Sequence, residues 1–281
     1  MNKSFAKINL FLKVLDKRND GFHNIETIFH RINLYDEIEI SESNKIEIIT
    51  DNKFLPKDER NFCFKAALAI QNFCKVNRGV KINIKKFIPI GSGLGGGSSN
   101  AATVLKLLIK FWGVEITNTE LNKIALSIGS DVSYFLTDTS AYATGRGEII
   151  NNIKFDFPFW IITVHPKIHI KTNWAYNVLS DNRKSVSTKF FTGNENIIEM
   201  FLNDLHKYSV NDFEEFIFPF HPMLNNIKNE LIKFKATNSI MSGSGSSIFG
   251  LFTNEVDAVI AENHFKLNYF VSVTPPYFKI F

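Results

Sequence analysis

Pro89-Ile90-Gly91-Ser92-Gly93-Leu94-Gly95-Gly96-Gly97-Ser98-Ser99-Asn100-Ala101-Ala102 is the stretch on which the reading of this chain turns. Five of the 15 glycines fall within residues 91–97, a density that costs backbone entropy and therefore needs a cause. A flexible linker would not run straight into an alanine-rich helix behind Ser98-Ser99. A backbone stripped of Cβ atoms lets several N–H groups turn toward one anion, and the helix N-terminus adds its dipole, so the stretch reads as a phosphate-binding loop. Gly91, Gly93 and Gly96 also match the spacing of a dinucleotide fingerprint, but such a fingerprint belongs in a first βαβ unit. Here several strands and a helix come first. Gly97-Ser98 stands where a Walker motif needs Lys-Ser/Thr, and neither HRD nor DFG, the triplets of protein kinases, occurs.

Upstream, Phe5–Val14 alternates, with Ala6, Ile8, Leu10, Leu12 and Val14 on one side and Phe5, Lys7, Asn9, Phe11 and Lys13 on the other. That period predicts a half-buried strand on which Lys7 and Asn9 point the same way. Lys13 reads as an edge-strand gatekeeper. The turn Asn19-Asp20-Gly21 follows, then strand patterns at 24–32, 36–40, 45–50 and 80–85, with a helix over 61–74 between the last two. Downstream, helices are expected over about 98–111 and 119–128, and strands over 141–144 and 159–165. A second α+β segment then alternates helices (174–179, 196–207, 222–234, 255–265) with strands (239–241, 248–252, 269–274). The polar stretch before residue 156 marks the expected division, giving domains 1–155 and 156–281.

Composition bounds the function classes. Lys and Arg exceed Asp and Glu by 32 − 28 = 4, which tolerates anionic substrates without announcing a nucleic-acid partner. Lys85-Lys86 reads as solvated surface. Cys63 and Cys74 on one helix would lie about 16 Å apart, too far to bond, and no Cys/His cluster suggests zinc. Unpaired cysteines, no secretory core and no apolar run of spanning length predict a cytosolic protein with no membrane partner.

The glycine stretch is similar to the ATP-binding motif of the GHMP kinases, and the resemblance spans the chain. Ala6-Lys7-Ile8-Asn9-Leu10-Phe11-Leu12 resembles that family's first motif, Gly129-Ser130-Asp131-Val132 its catalytic segment, and Met241-Ser242-Gly243-Ser244-Gly245-Ser246-Ser247 its third motif. Asp20-Gly21-Phe22-His23 resembles a cytidine-gripping turn found on one branch, which there carries tyrosine before the histidine. The resemblance implies a two-domain α+β fold: an N-terminal α/β domain with the glycine-rich phosphate loop, a ferredoxin-like C-terminal domain, and catalysis in a cleft between them. It implies ATP with Mg2+ and transfer of phosphate to a hydroxyl of cytidine-diphosphate methylerythritol, a step of isoprenoid precursor synthesis, by a monomer or weak homodimer.

It further implies Asp131 as the base and Lys7 as the cation beside it. Pro89, Ile90, Gly91, Ser92, Gly93, Leu94, Gly95, Gly96, Gly97, Ser98 and Ser99 would hold ATP. Asn9, Phe22, His23, Thr172 and Tyr176 would hold the acceptor, and Ser242, Gly243, Ser244 and Gly245 would complete the phosphate cleft. The metal would draw on Ser98 or Ser99, with no protein carboxylates. Read without the resemblance, Asp131 could equally be a helix N-cap, and Tyr176 helix packing.

Overall fold

The computed structural model describes residues 1–154, 156–183, 185–191 and 196–280. The expected division after residue 155 falls on Phe155, which lies outside the described residues. The chain forms two compact units that interleave along the sequence: residues 1–6, 34–90 and 95–138 in the first, and 7–33, 91–94 and 139–281 in the second.

Two long strands, β1 (Asn2–Lys17) and β2 (His23–Ser41), contribute to both units. The patterns expected at 24–32 and 36–40 are one strand, because Asn33-Leu34-Tyr35 contains no breaker and the alternation runs on. In the first unit, β2 pairs antiparallel with β4 (Val80–Lys85), and β4 pairs parallel with β3 (Ile46–Thr50). Helix α1 (Phe62–Cys74) packs on α2 (Gly96–Trp112), small residue to small residue: Ala66, Ala67, Ala101 and Ala102 are all fully buried. Asn61 caps α1 by accepting from the Cys63 amide, and Cys63 and Cys74 are both free. Helices α3 (Asn118–Ile128), opened by a Thr117/Glu120 capping box, and α4 (Val132–Phe135) complete the unit.

At the centre of this unit lies a buried carboxylate. Asp36 sits on β2 in step with the inward Leu34 and Ile38. Its Oδ1 accepts from the Phe87 and Ile88 amides, both at 2.8 Å, and its Oδ2 accepts from Asn100 at 2.8 Å and from the Lys86 ammonium. Lys86, expected on a solvated surface, is therefore buried, because its charge is matched inside the fold. Asn100 also donates to Ser4 Oγ (3.0 Å), Ser4 Oγ donates to Ser99 Oγ (2.8 Å), and Ser99 Oγ donates to the Phe5 carbonyl (2.7 Å). One network thus fixes the end of β4, the entry to the glycine stretch and the first turn of α2.

In the second unit, β2 pairs antiparallel with β5 (Ser140–Thr144), and β5 with β6 (Ile149–Ile153), a strand concealed by Asn151-Asn152 and the polar loop 145–148 before it. Strand β7 (Trp160–His165) leads to helices α5 (Thr172–Asn182), α6 (Ile197–Asn203), α7 (Leu205–Tyr208), α8 (Glu214–Ile217) and α9 (Pro222–Lys233). The helix expected over 196–207 breaks at Asp204, which caps α7 instead. Strands β8 (Asn238–Met241) and β9 (Ile248–Phe252), helix α10 (Glu255–Lys266) and β10 (Phe270–Thr274) close a four-stranded antiparallel sheet of order β10-β7-β9-β8, the ferredoxin-like arrangement. Its core gathers Ile162, Val164, Leu224, Ile227, Leu231 and Phe252 with Leu12 and Val14 of β1. Lys13 is no gatekeeper: it pairs at 2.8 Å with the largely buried Asp212, which also accepts from Arg183 (2.7 Å), Ser187 (2.7 Å) and the Val14 amide (2.9 Å). Burial pushes the Asp212 carboxyl up, but the bonds from Lys13, Ser187 and Val14 outweigh it and leave its pKa below the ordinary value.

Asp36→Ala strands a buried ammonium and the two amides that follow β4, and is expected to cost about 3–5 kcal/mol in urea unfolding; a loss of about 1 kcal/mol, the size of an exposed pair, would remove Asp36 from this role. Burial pushes His30 and His165 each down to about 4. The unfolded chain therefore takes up these protons first, so stability is full above about pH 6.5 and falls as the pH drops toward 4. His30→Gln should flatten that decline; an unchanged pH profile of the unfolding midpoint would contradict the assignment.

Candidate active site

The glycine stretch begins where Asp36 anchors Phe87 and Ile88. Pro89 and Ile90 lead outward, and φ then turns positive at Gly91 (+65°), Gly93 (+79°) and Gly95 (+70°), so the backbone zigzags before α2 starts at Gly96. Gly93 has two reasons to lack a side chain: its φ is left-handed, and a Cβ there would lie 2.1 Å from the Ser242 carbonyl oxygen. Gly95 caps α2 without a side-chain hydrogen bond. The first intrahelical bond runs from the Ser99 amide to the Gly95 carbonyl (2.9 Å), so the amides of Gly96, Gly97 and Ser98 form the open turn in which a helix holds anions. Ser92 and Leu94 are buried.

Lys7 and Asn9 do share one side of β1, yet the strand is buried on both faces, because backbone from distant segments covers the polar side. Lys7 is only 4% exposed; its Nζ donates to Asn9 Oδ1 at 2.6 Å and lies 4.9 Å from the Phe29 ring centroid. Its amide donates to the Leu94 carbonyl at 3.0 Å. The turn Ser242–Ser247 joins the same cluster. Ser242 Oγ donates to the Gly93 carbonyl (3.0 Å) and accepts from the Asn9 amide (3.4 Å), and the Ser247 amide donates to the Ser92 carbonyl (3.1 Å). Three motifs far apart in sequence therefore meet within the second unit: Lys7 and Asn9, the tip Gly91–Leu94, and the glycine-serine turn.

Asp131 belongs to the first unit, between α3 and α4, and is half-buried. Its backbone is already helical (φ −74°, ψ −13°) and its side chain makes no capping bond to α4, so an N-cap role does not account for it. Of the two loop hydroxyls expected near a metal, Ser99 is buried with its proton committed to the Phe5 carbonyl, which leaves half-buried Ser98 as the better placed. Among the described residues no group of three or more His, Cys, Asp or Glu could hold a metal ion.

Of the expected acceptor residues, His23 and Tyr176 meet in the second unit, whereas Asn9 lies beside Lys7 and Thr172 beside the glycine-serine turn. His23 is buried, stacks on Tyr176 (centroids 5.2 Å apart, planes at 19°), and its Nε2 lies 3.0 Å from Ser180 Oγ. Burial, and then the charges of Lys17 and Arg183, hold its pKa below the ordinary value, so the imidazole is neutral at pH 7 and offers one donor and one acceptor. Phe22 is 52% exposed, with the Arg146 guanidinium 4.7 Å from its ring centroid. Thr172 Oγ1 lies 3.2 Å from Ser244 Oγ, linking α5 to the glycine-serine turn. Trp174 packs edge-on against Phe220 (5.5 Å) and the core.

Sequence reasoning missed the residues that brace these clusters: Asp36, Arg146, His169, which walls Gly91, Ser180, Asn211 and Asp212. Asp36 did leave a signal, a carboxylate at an inward position of an alternating strand; Asn211 and Asp212 left none.

Residues 61–140 match the GHMP kinases N terminal domain and residues 194–269 the GHMP kinases C terminal domain. A protein of Pelodictyon phaeoclathratiforme named 4-diphosphocytidyl-2-C-methyl-D-erythritol kinase is 41% identical over 98% of this chain and 96% of its own length. One of the same name from Thermodesulfovibrio yellowstonii is 39% identical over 94% and 93%. A crystal structure of 4-(cytidine 5'-diphospho)-2C-methyl-D-erythritol kinase superposes with a TM-score of 0.82 at 26% identity, covering 99% of each chain. Homoserine kinase from Cytophaga hutchinsonii shares the fold, with a TM-score of 0.69 at 20% identity over 97% of this chain and 94% of its own. With its motifs in order, both domains matched and relatives alike over nearly their whole length, the chain belongs to the GHMP kinase family.

Proposed function

We propose that the protein transfers the γ-phosphate of ATP to the 2-hydroxyl of 4-diphosphocytidyl-2-C-methyl-D-erythritol, yielding the 2-phosphate and ADP in the non-mevalonate route to isoprenoid precursors. The observation that carries this reading is the backbone of Gly91–Gly95, left-handed at alternate residues and opening onto the uncapped first turn of α2. Such a surface of amides suits an anion, and its length along the glycine stretch suits a polyphosphate. The relatives named above, alike over nearly their whole length, support the acceptor. The family matches at 61–140 and 194–269 support a division between an N-terminal domain, residues 1–155, and a C-terminal domain, residues 156–281.

In this reading Asp131 accepts the proton of the attacking hydroxyl, and the Lys7 ammonium, held by Asn9, offsets negative charge on the phosphate being transferred. Phosphoryl transfer depends on position and electrostatics more than on a strong base, which suits a carboxylate in this role. Residues Pro89–Ser99 hold the nucleotide, and Ser242–Gly245 complete its phosphate contacts. Mg2+ would be met mainly by phosphates and water, with Ser98 as the protein hydroxyl, and when bound it neutralises charge on the phosphate oxygens. Neutral His23 reads the base edge, Phe22 offers an open ring face backed by Arg146, and Tyr176, Thr172 and Asn9 complete the acceptor side. Two free cysteines fit a reducing compartment, and among the described residues no helix is long and apolar enough to cross a membrane. We assign the protein to the cytosol.

Asp131→Asn is expected to lower kcat at least about 100-fold with the KM for ATP nearly unchanged, measured by ADP release with the cytidine-diphosphate acceptor; near-normal turnover would dismiss Asp131 as the base. His23→Ala should raise the KM for that acceptor about tenfold, the worth of a buried hydrogen bond, and leave the KM for ATP alone. Equal effects on both substrates would count against a base-reading role. A panel of mevalonate, homoserine and galactose beside the cytidine-diphosphate alcohol tests the acceptor itself: preference for any of the three overturns the proposal.

A further inference from the structure

Asn211 is a side chain to which the proposed function assigns nothing, yet it is 5% exposed and spends every polar atom. Its Oδ1 accepts from the Phe213 amide at 2.9 Å, which fixes the orientation of the carboxamide. Its Nδ2 then donates twice, to the Met241 carbonyl at 2.7 Å and the Gly243 carbonyl at 2.8 Å. From the other side Glu214 Oε1 accepts from the Met241 amide at 2.7 Å. The backbone at the start of the glycine-serine turn is thus gripped at three points by residues 211 and 214.

The same short segment is bound to the strand that carries Lys7 and Asn9. The Leu12 amide donates to the Val210 carbonyl (2.8 Å), the Asp212 amide to the Leu12 carbonyl (2.9 Å), and Ser209 Oγ to the Leu10 carbonyl (2.9 Å). Asn211 itself forms a parallel bridge with Leu12. Gly243, placed by Asn211, lies so close to the strand that a Cβ on it would sit 3.2 Å from the Gly93 carbonyl oxygen and 3.5 Å from Asn9 Oδ1. That Asn9 oxygen is the one that holds the Lys7 ammonium.

We infer that Asn211 is a positioning residue for the nucleotide: it sets the glycine-serine turn against Gly93 and Asn9, and through them fixes the tip Gly91–Leu94 and the Lys7 ammonium that meet the phosphates. The inference rests on the reading of Ser242–Gly245 and Lys7 given above. Asparagine suits the position because one planar group supplies an acceptor on one edge and two donors on the other. Aspartate would keep the bond from Phe213 but set an anionic oxygen against two carbonyls.

The test is calorimetric binding of adenylyl imidodiphosphate with Mg2+, which requires no acceptor and so scores the inference whatever alcohol the enzyme phosphorylates. Asn211→Asp is expected to bind this analogue about tenfold more weakly than the wild type. In turnover it should raise the KM for ATP by a similar factor and the KM for the cytidine-diphosphate acceptor, whose residues Asn9 and Thr172 also touch the turn, by clearly less. Unaltered affinity, or equal rises in both KM values as a general loosening would give, overturns the inference. Should the variant not fold, the wild type supplies the answer by NMR: the Asn211 side-chain NH2 resonances should move on addition of the analogue and stay in place with cytidine monophosphate. Resonances that ignore the nucleotide refute it. Failure of the wild type to phosphorylate the cytidine-diphosphate acceptor, with these binding effects intact, sinks the functional reading and leaves the role of Asn211 standing.

Discussion

The first unit is organised around one charge that has nowhere to go. Asp36 is cut off from water, and a lone buried carboxylate costs several kcal/mol unless its lone pairs are filled. They are filled by the Phe87 and Ile88 amides, by Asn100 and by Lys86. Each of these donors has a structural consequence. The two amides fix where β4 ends and the glycine stretch begins, and Asn100 ties down the first turn of α2. The amides of Gly96, Gly97 and Ser98 thus lie in a stretch whose chain is held upstream and downstream by the same carboxylate.

The second unit solves a related problem with neutral groups. A glycine-serine turn has almost no side-chain volume with which to define its own shape, so its backbone must be held from outside. Asn211 and Glu214 hold it on one side, and Gly93 and Asn9 lie against it on the other. Glycine is required at 93 because backbone approaches backbone there with no room for a methyl group. Lys7 gains its fixed place from the same contacts, since an ammonium 4% exposed has little freedom once Asn9 accepts from it. The glycine-rich segments, which have little side-chain volume of their own, are held in place by polar neighbours.

Much of this was legible beforehand, and the reason differs from part to part. The alternation of Phe5–Val14 put Lys7 and Asn9 on one side of a strand, and the glycine density ahead of Ala101-Ala102 pointed to a phosphate loop, because both signals are local. Strand β6 was hidden by its polar residues Asn151 and Asn152. The solvated-surface reading of Lys86 and the gatekeeper reading of Lys13 fail because a lysine's burial depends on a partner that its own neighbourhood does not contain. Asp36 is intermediate: its inward register was visible, its four partners were not.

The sequence by itself determined most element types and the order of the motifs, because periodicity and glycine spacing act over a few residues, and the family through the resemblance those motifs carry. Only the tertiary structure decided which polar groups lie inside and what they hold. The bond from the Asn9 amide to Ser242 spans 233 residues, and those from Asn100 to Asp36 and from Asn211 to Gly243 span 64 and 32. A hydrogen bond has no period along the chain. Whether a buried donor finds its acceptor is settled by packing alone.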